Sequence, residues 1–445
     1  MPNLRIIFNN AADCATINAS SSVGALVPDN LKNDLKSVVW RSSTAAAGTT
    51  PSARIDATWS APELIAGVAL AYSNLTPQAQ MRVRGTGEAA ATNIMAYSST
   101  FGDSSWNKAA MNLAGGITAP DGGTGATAAT ATGADPYMHR GVSLAPGTYT
   151  LSVYLKGVGV TVGKAPLIWV WNQANLAGMS STSDGRALTN GWVRYSAVLT
   201  VATGGTYQFR FDLPDAANVG DVVHVWGAQL EAGARATSYY PTGAAAATRP
   251  AGYMDDWQSY DLDSGWMIPC PVPTDQPAAA LGANSFAYGG SGHARAWLAT
   301  PAAVRALRIE ITDAGNPGGY IEAARLVCGG YWEPAYNPDY GASMQPVDAS
   351  KNFRNDAGDL MSDVGTRSDK LSISMSWLKP PDRAALLRIL RGNGITRPVF
   401  ASLFPNHADA ALEQDHQILG KLIETPAMSL PSYNMAAATL QIESI

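Results

Sequence analysis

The sequence predicts a mainly β chain built of several sandwiches. Three observations carry that prediction. Short runs alternate apolar and polar residues with period two, as in Ala53, Ile55, Ala57 and Trp59, or Tyr207, Phe209 and Phe211. The 43 glycines and 27 prolines punctuate these runs with turns. The 445 residues exceed what one core supports, so about two to four domains are expected. The fold class is therefore mainly β, in multi-domain β-sandwiches, with one helix in the C-terminal part.

Composition removes several function classes. Hydrophobic residues make up 46% and charged residues 15%, which is globular and not disordered. The net charge is −5 without any Lys or Arg run, so no nucleic-acid partner is expected. Cys14, Cys270 and Cys328 are far apart and form no CxxC; they are expected to be buried small hydrophobes. The opening MPNLRIIFNNAADC does not read as a signal peptide, and no apolar run is long enough for membrane insertion. Synthesis in a cytoplasm is the expectation.

Along the chain, Leu4 to Asn9 is a short strand. Ala53 to Trp59 is a strand, Ala61 to Ile65 a turn, Val68 to Tyr72 a strand, and Gln80 to Gly85 runs back. After Gly85 the texture changes to Ala- and Thr-rich sequence. Asp121 to Gly133 reads as a low-complexity loop. Strands follow at Gly147 to Lys156, Pro166 to Trp171, Gly191 to Val201, Thr206 to Asp212 and Val222 to Leu230. Ala244 to Thr248 is an Ala-rich linker. Strands resume at Ala294 to Leu298 and Ala306 to Asp313, with a tight turn at Asn316 to Gly319 and a closing strand from Tyr320 to Gly329. In the last part, Ser372 to Trp377, Arg397 to Pro405, His416 to Leu422 and Thr439 to Ile445 are strands. Pro380 to Gly394 is a helix, with Pro before and Gly after, burying Leu386, Leu387, Ile389 and Leu390.

Three stretches resemble known modules. Val225 to Pro241, VWGAQLEAGARATSYYP, resembles the closing strand and exit of the carbohydrate-binding-type jelly rolls in bacteriophage tail proteins, and GTYTLSVYLK resembles one of their main strands. The segments 50–85 and 295–335 resemble the two halves of a discoidin-like jelly roll. The final part resembles, more coarsely, the strand–helix–strand β-barrel domains of tail-tube and distal-tail proteins, which implies a C-terminal β-barrel-like domain with one helix beside the jelly rolls, one of them inserted in the other. The resemblance implies a discoidin-like first half at 1–92, an inserted carbohydrate-binding-type jelly roll at 93–249, a second half at 250–335 and a docking domain at 336–445. Three independent domains in series is the alternative. The resemblance further implies a non-enzymatic structural component of a phage tail tip or baseplate, located in the virion tail. Its partners would be other tail or baseplate proteins and copies of itself around the tail axis, and a host-surface glycan is a further candidate. A lectin-like receptor-binding protein, a secreted bacterial lectin or hydrolase accessory module, and a tail-borne polysaccharide depolymerase are the rivals.

The chemistry is sparse. His139, His224, His293, His407 and His416 lack metal-ligand spacing. The segment GGSGH at 289–293 is not GxSxG, and the glycines at 122, 123 and 125 make no phosphate loop. Asp255, Asp256, Asp261 and Asp263 read as a solvated connection rather than a glycosidase pair. No cofactor is expected beyond a structural Ca²⁺, for which Asp212, Asp215 and Asp221 are weak candidates set against an ordinary polar turn. For a sugar, aromatic rings cover the C–H side of a pyranose while amides and guanidinium groups take its hydroxyls. Ser152, Tyr154, Lys156, Trp169, Trp171, Gln208 and Arg210 are the candidates. The competing reading makes them the wet side of a sandwich, or a face packed on a neighbour.

Overall fold

The computed structural model describes residues 3–172, 177–179, 182–183, 186–214, 218–255, 258, 260–269, 292–365 and 367–445. It is mainly β. The chain divides into two compact units, Met1–Gly87 with Tyr260–Ile445, and Glu88–Ser259.

In the first unit two 20-residue strands, Ser52–Ala71 and His293–Thr312, pair antiparallel along most of their length. The sequence suggested a turn at Ala61 to Ile65; the chain instead stays extended there. The pairing breaks between Trp297 and Ala302 and between Val304 and Ala306, leaving Pro62 and Pro301 outside the ladder. Proline has no N–H to donate, so it is tolerated where pairing lapses. On one side of the break the pair joins Gln80–Thr86, Leu262–Met267 and Thr16–Ala19; on the other it joins Arg325–Gly329. Both halves feed one core, with Ile55, Trp59, Ile65, Leu70, Val83, Leu307, Ile309 and Leu326. Bulged long strands thus turn a corner between two layers.

The same unit holds an open seven-stranded sheet in the order Arg5–Ile7, Val399–Ser402, Gln417–Leu422, Met435–Ser444, Arg367–Leu378, Ser343–Asp348, with Ser429–Ser432 added beside Met435–Ser444. The sheet does not close on itself. The N-terminal strand belongs here and not to the sandwich: Leu4 and Ile6 lie in this core. Helix Pro380–Asn393 packs Leu386, Ile389 and Leu390 against the sheet, leaves Leu387 half-buried, and stops at Gly394 with φ +58°. A second, short helix, Ala410–Asp415, was not foreseen. Ile7, Phe400 and Leu419 join this sheet to Ala69, Ala71 and Trp297 of the sandwich. Arg295 meets Glu413 through two 2.8 Å hydrogen bonds with both side chains buried. Gly67 is required here: a Cβ would sit 2.8 Å from the Trp297 ring.

The second unit is a two-sheet sandwich. One sheet has six strands in the order Thr182–Ser183, Val193–Val201, Gly147–Val158, Val222–Ala232, Ala126–Ala131, Met111–Ile117. The other has five: Ala177–Met179, Leu167–Asn172, Gly205–Asp212, Tyr137–Leu144, Asn107–Ala109. Leu151, Val153 and Leu155 from the first meet Tyr207, Phe209 and Phe211 from the second in one core. Half of the expected low-complexity loop is a strand, Ala126–Ala131, paired on both sides. Small side chains suit it, because Ala126 lies beside the buried Trp226. Of the cysteines, Cys328 is buried, Cys14 is exposed, and Cys270 lies outside the described residues.

Candidate functional site

The seven sugar candidates do not share a face. Ser152, Tyr154 and Lys156 are on the six-stranded sheet; Gln208 and Arg210, with the backbone of Trp169 and Trp171, are on the five-stranded one. Each group sits on its sheet's non-core side, so the sandwich separates them.

The outer side of the six-stranded sheet is covered by the chain's own exit. Glu231, 1% exposed, accepts hydrogen bonds from Thr237 N (2.8 Å), Thr237 Oγ1 (2.6 Å) and Gln229 Nε2 (2.8 Å). Gln229 Oε1 accepts from Tyr240 N at 2.9 Å. Both oxygens of Glu88 accept from Ser238 N at 3.1 Å. The Tyr239 hydroxyl meets Ser98 Oγ at 2.7 Å, and burial pushes its pKa up to about 12. Gly227, at φ +65°, lies where the strand shifts register, and a Cβ there would press on Tyr154 and Tyr239 at 3.2 and 3.3 Å. The run GAQLE…TSYYP is thus a clasp: buried polar groups that would be costly alone are satisfied by the returning backbone.

This corrects one candidate and encloses part of a second. Ser152 is fully buried and accepts from Arg194 at 2.9 Å, while Arg194 also donates to Thr237 O. Tyr154 packs against Trp226 and Tyr239, at 5.5 and 6.3 Å between ring centroids. Ser152 is closed to a sugar, whereas Tyr154 remains half-buried beside these rings. Lys156 stays half-exposed, opposite His224.

The outer side of the five-stranded sheet has no such cover from the exit segment. Its ladder sets Asn107, His139, Arg210 and Trp169 in one row, and Gly141, Gln208 and Trp171 in the next. Tyr137 and Asp212 form a third row. The side chains of Trp169 and Trp171 lie outside what the structure describes. The Arg210 guanidinium stacks on Tyr137 at 3.6 Å and is held by Asp212 and Asp135, each at 2.5 Å. His139 lies 5.8 Å from the Tyr137 ring; burial, with Arg210 adding to it, lowers its pKa and keeps it neutral. Its Nδ1 is buried and has no hydrogen-bond partner among the described residues. Tyr137, His139 and Gln208 are half-exposed and Asn107 is exposed. Tyr137, His139 and Asn107 were not identified as sugar contacts from the sequence, although Tyr137-Met-His-Arg-Gly-Val-Ser-Leu alternates clearly enough to mark a strand.

Two of the three Ca²⁺ candidates are engaged by protein groups. Asp212 is taken up by Arg210. Asp221 accepts from Asn218 N at 2.9 Å and pairs with Lys164 at 3.3 Å, and the Asn218 N–H, with lesser help from Lys164, holds its pKa low. Asp215 lies outside the described residues. No group of three metal-ligating side chains occurs among the described residues. Of the other acids, Asp255 accepts from the Tyr253 hydroxyl, Asp261 from Gly87 N and Asp263 pairs with Arg82, while Asp256 lies outside the described residues. Most of GGSGH is likewise outside them; His293 is wholly buried, which pushes its pKa down to about 3. Among the described residues no helix is long and apolar enough to cross a membrane.

No protein-family model matches the chain, and no curated protein matches it. Parts of it are similar to solved structures. One is the CBM22-1 xylan-binding domain from Paenibacillus barcinonensis, at 12% identity and TM-score 0.26, covering 34% of this chain and 99% of that one. Another is a carbohydrate binding module from Cellvibrio mixtus lichenase 5A in complex with cellotriose, at 13% and 0.22, covering 32% and 96%. A third is the enzymatically active domain of bacteriophage CBA120 tailspike protein 4, at 13% and 0.25, covering 31% and 21%.

Proposed function

We propose that this chain is a non-enzymatic component of a phage tail tip or baseplate, whose sandwich Glu88–Ser259 binds a host-surface glycan through the outer side of its five-stranded sheet. The observation that carries the glycan reading is the arrangement of Tyr137, His139, Gln208 and Asn107 around an Arg210 locked in place. Aromatic rings there cover a pyranose face, and the amides of Gln208 and Asn107 exchange hydrogen bonds with its hydroxyls. Arg210 is pre-organised by two carboxylates, so little ordering entropy is lost on binding. Asp135 and Asp212 are both engaged by Arg210, which supports binding without bond cleavage.

The tail assignment is supported by the exit sequence Val225 to Pro241 and by the low fraction of charge, 15%, which suits surfaces buried in an assembly. Other tail proteins and further copies of this chain are the proposed partners. A glycan array with the full chain tests the binding reading: retention on at least one glycan is expected, and failure on all removes the receptor role. Antibody labelling of virions should mark the tail; labelling elsewhere would remove the assembly role. Release of reducing ends from host polysaccharide would overturn the non-enzyme reading.

A further inference from the structure

A cavity of about 400 Å³ lies within the first unit, between the segments 337–342 and 403–407, with His416 beside them. The first segment is held in place before anything binds. Asn337 Oδ1 accepts from Leu4 N at 2.9 Å, and Asp339 N donates to Ser374 O at 2.8 Å. One Asp339 oxygen also accepts from the Ser376 hydroxyl at 2.5 Å. The second segment supplies aromatic surface. His407 and His416 pack steeply against Phe404, at 5.9 and 5.2 Å between ring centroids. The Tyr340 ring is fully exposed on the cavity lining. A large aromatic surface there has nothing of its own chain to cover.

The charge of the lining decides what the cavity takes. Asp339 is the only acid on it, and no Lys or Arg lines it. Among the described residues Asp339 makes no ion pair; its hydrogen bonds go to Ser374 and Ser376. His416 Nδ1 lies 2.9 Å from Leu412 O, so that nitrogen carries the proton and Nε2 is left as an acceptor. His407 Nδ1 is taken by Asp409 N at 2.9 Å. An unpaired carboxylate, an imidazole lone pair and aromatic faces all attract a cation, and the same carboxylate repels an anion. The volume is near the small end of ligand pockets, roughly 300–1,000 Å³, which suits one ring or a short chain rather than a polymer.

We propose that this cavity binds a small organic cation, a primary ammonium carried on an apolar body, with the ammonium on Asp339 and His416 and the body against Phe404 and Tyr340. The site is independent of the glycan reading and does not rest on it. Isothermal calorimetry on the full chain at neutral pH, with benzylamine and with benzyl alcohol as its uncharged counterpart, tests the proposal. Benzylamine should bind about fivefold or more tightly than the alcohol. Asp339→Asn keeps an acceptor for the Ser376 hydroxyl, and should remove that preference while leaving the alcohol and the urea midpoint unchanged. Tyr340→Ala, which alters a fully exposed side chain, should weaken benzylamine and leave the urea midpoint unchanged. No binding of benzylamine, equal binding of amine and alcohol, or a preference that survives Asp339→Asn would overturn the proposal. Full binding by Tyr340→Ala would place benzylamine elsewhere on the chain and overturn it as well.

Discussion

The two outer sides of the sandwich at 88–259 look alike in sequence and differ in fate. Thr150, Ser152, Tyr154 and Lys156 alternate with core residues just as Thr206, Gln208, Arg210 and Asp212 do. On the six-stranded sheet the polar row is consumed by the exit segment, which Glu231, Gln229 and Glu88 fasten down. On the five-stranded sheet the polar row keeps Gln208 and Asn107 at the surface beside Tyr137 and His139. Period-two alternation says which residues face away from a core. It does not say whether water, a returning chain or a ligand meets them there.

The largest expected effect lies on the clasped side. Glu231→Ala removes the shared acceptor of Gln229 Nε2 and of the half-exposed Thr237, and a loss of roughly 1–3 kcal/mol is expected in urea unfolding. A loss below about 0.5 kcal/mol would show that the exit segment is not held by this residue.

On the open side the order reverses. Tyr137→Ala and Gln208→Ala should each weaken glycan binding about tenfold or more, near 1.4 kcal/mol, as isothermal calorimetry would read. Gln208→Ala should leave stability within about 0.5 kcal/mol. Equal losses of stability and binding would show that this row, too, is structural.

Acid sensitivity gives an intermediate effect that belongs to neither side. His293 is buried, which disfavours its charged form, so its folded pKa of about 3 lies below the ordinary histidine value of 6.5. Between those values the unfolded chain binds more protons, and stability therefore falls as pH drops from about 6.5 toward 3. His293→Leu, which cannot titrate, should flatten that part of the stability curve for the first unit; an unchanged slope would place the acid response elsewhere. The smallest effect is assigned to Lys156→Ala, half-exposed on the clasped side: stability within about 0.5 kcal/mol and glycan binding unaltered.

Much of the strand content was legible because alternation and turn residues agree. Gly147–Val158, Gly205–Asp212 and Val222–Ala232 all begin within a residue or two of the expected positions. The misses have physical causes. Pro62 and Pro301 read as breaks, yet a bulged corner absorbs both. Ala126–Ala131 is alanine-rich, with only Thr127 and Thr130 β-branched and no aromatic residue, and large neighbours such as Trp226 supply the packing instead. The hairpin at 351–364 has no buried side to leave a pattern. The outward-facing positions of Gln208 and Arg210 were legible from alternation, whereas the burial of Ser152 follows from residues far along the chain, Arg194 and Thr237, which no local pattern connects.

The most direct test of the open face is calorimetric titration of the wild-type chain, Gln208→Ala and Lys156→Ala with the glycan that the array retains best. Tight binding by wild type and Lys156→Ala, with an affinity about tenfold or more lower for Gln208→Ala, is the predicted result. Full binding by Gln208→Ala, or its loss in Lys156→Ala, would contradict it.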